Sequence, residues 1–107
     1  MTIQKYKVVY SPEALFDIKS IYNYIAIDLK EKTNAKSQTN RIRQTIRGLD
    51  TFPDKYEAVD WKPWKEMGMH KVPVDNYVIY YLANHDKKTV TVVRIFYGGR
   101  DIPNIIL

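Results

Sequence analysis

The residues best suited to chemistry lie at the end of Val92-Val93-Arg94-Ile95-Phe96-Tyr97-Gly98-Gly99-Arg100-Asp101-Ile102, where an apolar, strand-like run breaks into glycine and charge. Two consecutive glycines let a backbone turn sharply or come close to a ligand, and Arg94 and Arg100 on either side can each make bidentate bonds to a phosphate. The same residues also fit a glycine turn in which Arg100 pairs with an acid such as Asp101 or Asp17. In a regular strand Arg94 and Tyr97 point to opposite faces, so a site containing both requires the chain to bend near Phe96.

Two further groups of residues could meet a polyanion. Trp61 and Trp64, interleaved with Lys62 and Lys65, could stack on bases, although packing of the two rings against a sheet uses the same residues. Arg41, Arg43 and Arg47 could follow a phosphate backbone, although an exposed helix face carries such charges for solubility alone. His70 and His85 lie 15 residues apart with no third ligand nearby, so no metal site is expected; His70 reads as a partly exposed strand residue and His85 as a turn residue.

The elements that position these groups follow from periodicity. Lys5 to Tyr10 alternates around Tyr6, Val8 and Tyr10 and predicts a strand. Ser11-Pro12-Glu13 then supplies an N-cap hydroxyl, a proline at the first helical position and an acid at the positive end of the dipole. Leu15, Ile18, Tyr22, Ile25 and Leu29 recur at spacings of three and four and predict the buried stripe of a first helix. A second helix is predicted from Thr33 to Leu49, with Ala35, Ile42, Ile46 and Leu49 inward. Phe52-Pro53 closes it, and Asp54 to Glu66 has no period but enough aromatic residues (Tyr56, Trp61, Trp64) to fold back over an edge of the core. Gly68 to Val74, Tyr77 to Ala83 and Thr89 to Tyr97 have strand composition and are separated by short turns. Tyr77 to Leu82 is apolar on both faces, as an interior strand requires, whereas Pro73 places its strand nearer an edge.

The totals set the class. With 107 residues the chain suits one modest core and a single domain over 1–107. Seventeen Lys and Arg against 12 Asp and Glu leave a net charge of +5, which favours a polyanion as partner. Cysteine is absent, which excludes disulfides, a thiol nucleophile and cysteine–zinc sites. Neither a signal-peptide pattern nor an apolar run of roughly 20 residues is visible, so no membrane association and a cytoplasmic location are expected.

Arg94-Ile95-Phe96-Tyr97-Gly98-Gly99-Arg100-Asp101-Ile102 resembles the closing strand of RelE/ParE-superfamily toxins. Tyr10-Ser11-Pro12-Glu13-Ala14, the Asp17-Ile18 helix, the Leu49-Asp50-Thr51-Phe52-Pro53 helix exit and Asn76-Tyr77-Val78-Ile79-Tyr80-Tyr81 fall where that superfamily has similar elements. The resemblance implies an α+β fold, a two-helix hairpin packed on an antiparallel sheet in the order β-α-α-β-β-β with a short C-terminal tail. It also implies a bacterial type II toxin–antitoxin (plasmid stabilisation) toxin without a cofactor, which inhibits growth unless an acidic antitoxin binds it, in a toxin–antitoxin hetero-oligomer.

Two targets follow from the superfamily, DNA gyrase for ParE-like members and messenger RNA in the ribosomal A site for RelE-like ones; an inactive antitoxin-binding homologue is a third reading. RNA cleavage by the 2′-hydroxyl needs a base, an acid and cations at the phosphate, for which the candidates are His70, Lys71, Arg94, Tyr97 and Arg100. Tyr97 resembles a tyrosine near the end of the last strand of some ribonucleolytic members, and Lys71 falls in the basic strand lining their site. Against this, Val78 stands where such members commonly carry arginine, Phe96 where one subgroup has histidine, and Ile102 to Leu107 lacks a terminal tyrosine. The resemblance therefore leans to the ParE-like side. Surface candidates for target contact are Arg41, Arg43, Arg47, Lys65, Lys71, Arg94 and Arg100.

Overall fold

Ser11 starts the first helix as its residue type demands: its backbone is extended, its hydroxyl accepts the Ala14 N–H at 3.0 Å, and Pro12 follows at the first helical position. The computed structural model describes residues 5–98. Along it run β1 (Lys7–Tyr10), α1 (Pro12–Asn23), a π-helical turn (Tyr24–Asp28), α2 (Lys32–Arg47), β2 (His70–Val74), β3 (Tyr77–Asn84) and β4 (Thr89–Tyr97). Short 3-10 turns at Gly48–Asp50 and Pro53–Lys55 and one helical turn at Trp64–Met67 lie between α2 and β2. The last residues predicted for the second helix thus tighten into a 3-10 turn that leaves Leu49 fully buried.

The sheet order is β1-β4-β3-β2. Its β2-β3-β4 portion is the antiparallel meander predicted, with β3 interior and the Pro73 strand at an edge. The sheet as a whole is mixed rather than antiparallel, because β1 runs parallel to β4, Lys7 opposite Thr89 and Tyr10 opposite Val92. The helical hairpin is the crossover responsible: it returns the chain to the starting end of the sheet, so β2 runs with β1, and two tight hairpins leave β4 pointing the same way.

Both faces of the sheet are covered. On one side Ala14, Ile18, Ile21 and Ile25, with Ala35, Ile42, Ile46 and Leu49, meet Val72, Val74, Ile79, Tyr81, Val90, Val92 and Ile95. On the other, Val59, Trp64 and Met69 fold back onto Tyr80 and Phe96. Trp61 and Trp64 lie 6.3 Å apart and pack against Tyr80 at 6.1 and 4.8 Å, the packing role that their residue types also suit.

The first helix is rotated from the stripe that periodicity predicts. Its buried residues are Ala14, Asp17, Ile18 and Ile21, continued by Ile25, whereas Leu15 and Leu29 are 55% and 50% exposed. The small Ala14 lets the helix approach β4 closely, and Asp17 must face the sheet because it hydrogen-bonds there. The consequence is an outer surface bearing Leu15, Phe16, Tyr24, Ile27 and Leu29.

Candidate functional site

A β-bulge sets the geometry of the end of β4. Tyr81 pairs with Val92 but Tyr80 pairs with Arg94, which leaves Val93 as an extra residue. Val92 and Ile95 therefore both face the helices, although three positions apart, while Arg94 starts on the Tyr80 side and Tyr97, opposite Tyr77, on the helix side. The irregularity lies before Arg94 and not near Phe96, where a bend was needed for Arg94 and Tyr97 to share one face.

At this end β1 has stopped, and α1 takes over as the neighbour of β4. Ser11 donates its N–H to the Val92 carbonyl at 2.9 Å and its hydroxyl to the Val93 carbonyl at 2.8 Å. Asp17 accepts the Ile95 N–H at 2.9 Å and two guanidinium nitrogens of Arg94, Nε at 2.9 Å and Nη2 at 3.1 Å. The guanidinium also lies 4.3 Å from the centre of the Phe96 ring. Hydrogen bonding to Asp17 makes Arg94 hold its proton more firmly still. Asp17, one of the two acids offered as a partner for Arg100, pairs instead with Arg94, and Arg100 and Asp101 lie outside the described residues.

Beside this clamp lies a groove of about 960 Å³, bordered by Phe16, Tyr24 and Leu29 of the hairpin and by Tyr77 and Tyr97 of the sheet. Phe16, Tyr24, Leu29 and Tyr97 each leave half or more of their surface in water. Tyr97 meets Tyr77 edge to face at 5.8 Å. At the rim, Arg41 donates Nε to Asp75 at 2.7 Å and Gln38 donates to the same oxygen at 2.9 Å, tying α2 to the β2–β3 turn. These two hydrogen bonds hold the Asp75 carboxyl below its ordinary range. Arg41 and Arg94 also line this groove, and its exposed aromatic and aliphatic side chains suit it to the apolar anchors of a protein segment.

The remaining sequence candidates do not converge. His70 faces the helix side, stacked on Tyr81 at 5.5 Å, with Nδ1 3.0 Å from the Tyr56 carbonyl oxygen. Lys71 faces the opposite side, 3.2 Å from Glu57 and 5.1 Å from the centre of the Trp61 ring. Arg43 and Arg47 are exposed on α2, and their charge works against burial, which raises Tyr10. Lys65 is exposed on the helical turn. Burial also pushes the Tyr80 and Tyr81 hydroxyls up, and Tyr81 donates to the Pro53 carbonyl.

One cluster escaped the sequence reading altogether. Asp54 brings together two distant histidines, with Oδ1 3.5 Å from His70 Nε2 and Oδ2 3.1 Å from His85 Nε2, and His85 Nδ1 is 2.6 Å from the Tyr6 hydroxyl. Among the described residues no set of three acidic, histidine or cysteine side chains is arranged to hold a metal. Phe16 and Tyr24 were also missed, since they lie off the periodic stripe; their size and their position beside it were the only signal.

Comparison with known proteins places this geometry. Residues 8–102 match the family described as the ParE toxin of the type II toxin–antitoxin system parDE. No curated protein matches the chain by sequence. Among solved structures, a chain of the chromosomal ParDE system from P. aeruginosa superposes with a TM-score of 0.73 at 13% identity, over 88% of this chain and 97% of that one. The toxin–antitoxin complex RelBE2 from Mycobacterium tuberculosis contributes a chain with a TM-score of 0.61 at 13% identity, covering 90% of this chain and 94% of that one. The archaeal RelE–RelB complex from Pyrococcus horikoshii follows at 0.62 and 14%, covering 90% and 98%. At such identities the likeness to the solved structures is one of fold.

Proposed function

Because the chain belongs to the ParE toxin family of type II toxin–antitoxin systems, and is a toxin of that kind, we propose that it stops growth by contact with a topoisomerase, DNA gyrase, and cuts no RNA. The observation that carries this choice is the dispersal of the groups a nuclease would need. His70 and Lys71 face opposite sides of the sheet, and Arg94 is engaged by Asp17. A 2′-hydroxyl attack needs base, acid and phosphate-binding cations within hydrogen-bond reach of one bond, which these residues are not positioned to give.

An acidic antitoxin is the natural occupant of the groove at Phe16, Tyr24, Leu29 and Tyr97. Its apolar anchors would cover those rings, and the net charge of +5 would steer it in. High salt should weaken the complex only in part, because apolar contact supplies much of the binding. The proposal takes 1–107 as a single domain working in the cytoplasm. Among the described residues no helix is long and apolar enough to cross a membrane.

Induction of the chain without its antitoxin tests the choice. Filamentation and altered plasmid supercoiling with intact messages are expected; rapid cleavage of translated messages would replace the topoisomerase with the ribosome. A culture that grows normally would leave an antitoxin-binding protein without toxicity.

A further inference from the structure

Tyr6 and His85 face each other where the chain enters the sheet. The Tyr6 N–H donates to the Asp50 carbonyl at 2.8 Å and the Lys7 N–H to the Lys88 carbonyl at 2.8 Å, which sets the start of β1 against the β3–β4 turn. Asn84 Oδ1 accepts the Lys87 N–H at 3.0 Å and shapes that turn. The phenol oxygen of Tyr6 then lies 2.6 Å from His85 Nδ1, with the two rings edge to face at 5.7 Å. Behind the imidazole, Asp54 Oδ2 is 3.1 Å from His85 Nε2. Its other oxygen is 3.5 Å from Nε2 of His70, whose Nδ1 rests 3.0 Å from the Tyr56 carbonyl oxygen, so the carboxylate is held from both sides. A carboxylate only accepts, so it fixes the proton of a neutral His85 ring on Nε2 and leaves the Nδ1 lone pair to the Tyr6 hydroxyl. Among the described residues no other tyrosine hydroxyl meets a nitrogen base, and that of Tyr81 is given to a carbonyl.

We propose that Tyr6 is a nucleophile and the acceptor of a small activated acyl group, with His85 as its general base and Asp54 as a positioning residue. Hydroxyl, base and orienting acid stand in the order and at the reach that acyl transfer to a hydroxyl requires. In the step, Tyr6 Oη forms a bond to the acyl carbon of an activated ester or acyl phosphate, the bond from that carbon to the leaving oxygen breaks, and the phenolic proton passes to His85 Nδ1. The leaving group departs as an anion, and the Lys88 ammonium, 5.2 Å from the centre of the Tyr6 ring, is the cation beside it. One ammonium suits a single charge on a leaving oxygen. Phosphoryl transfer spreads charge over three oxygens and calls for a larger group of cations. Because Lys7 stands opposite Thr89, Tyr6 lies at the other end of β4 from Tyr97, and acylation leaves the groove there open.

The test treats the purified full chain with p-nitrophenyl acetate and follows acetylation of each tyrosine by peptide mass spectrometry. Tyr6 should be acetylated about tenfold faster or more than Tyr24 and Tyr97, which are 52% and 53% exposed and meet no base among the described residues. His85→Gln keeps a hydrogen-bonding side chain beside the phenol but removes the base, and Tyr6 acetylation should fall about tenfold or more. Asp54→Asn keeps an oxygen for His85 Nε2 but removes the charge that steadies the imidazolium, and should slow the reaction about threefold or more. A tie of purely structural role would survive both substitutions, so unchanged acetylation in His85→Gln would overturn the proposal, and unchanged acetylation in Asp54→Asn would overturn the part given to Asp54. Equal acetylation of Tyr24 and Tyr97, or transfer to Lys88 with Tyr6 unmodified, would overturn it as well. Circular dichroism of each variant confirms that the fold survives these exposed substitutions.

Discussion

Asp17 grips Arg94 through two guanidinium nitrogens and, with the same carboxylate, accepts the Ile95 N–H, so one side chain of α1 does for the end of β4 what a neighbouring strand would otherwise do. The carboxylate is nearly buried and the guanidinium about one third exposed. Asp17→Ala leaves a cation and a buried amide without partners and should cost about 2–3 kcal/mol, toward the low end because water still reaches Arg94. Asp17→Asn keeps an oxygen for Ile95 and should lose less. Urea denaturation of the two variants checks the order; equal losses would show that the amide bond contributes nothing.

Ser11 serves both elements it joins, accepting from Ala14 and donating to the Val93 carbonyl. Ser11→Ala should lower stability by about 1–2 kcal/mol, more than an exposed cap alone. Ser11→Gly gives a comparison, since glycine also tolerates the cap position; thermal melts of both separate capping from the cross-link.

Trp64 is the centre of the second core cluster, and Trp64→Ala should destabilise by about 3–5 kcal/mol through the cavity it leaves between the 59–69 segment and Tyr80. A loss below about 1 kcal/mol would mean that this segment packs only loosely.

Acid should weaken the tie between α2 and the β2–β3 turn. Arg41 and Gln38 depress the folded Asp75 carboxyl below its ordinary value of 3.8, so the contribution is present above that value and is lost as pH falls through the lower folded one. Asp75→Asn should therefore narrow the gap between melting temperatures at about pH 6 and pH 3. An unchanged gap would assign the acid sensitivity to other carboxylates.

On the proposed topoisomerase reading the chain makes and breaks no bond, so Lys71→Met combined with Tyr97→Phe should leave growth inhibition intact. Colony counts after induction read this directly. Loss of toxicity in a variant that stays folded and binds antitoxin would return these residues to the chemistry of a nuclease.

Much of this protein could be read without coordinates. The Ser11-Pro12 cap, the two helices, the Phe52-Pro53 exit and the three-strand meander all depend on residues adjacent in sequence, where capping, proline geometry and alternation act locally. The expected resemblance to the RelE/ParE superfamily drew on the same local signals in order along the chain. Three features were decided only in three dimensions. The rotation of α1 was set by Asp17, whose partners lie 77 and 78 residues away, and so Leu15 faced water where periodicity placed it inside. The bulge at Val93 arose from pairing with β3 and decided which face each later residue of β4 presents. The direction of β1 depended on where the hairpin returned the chain. Helical and strand periods report how residues repeat, but which repeat faces inward depends on the hydrogen bonds and packing that distant parts of the chain supply.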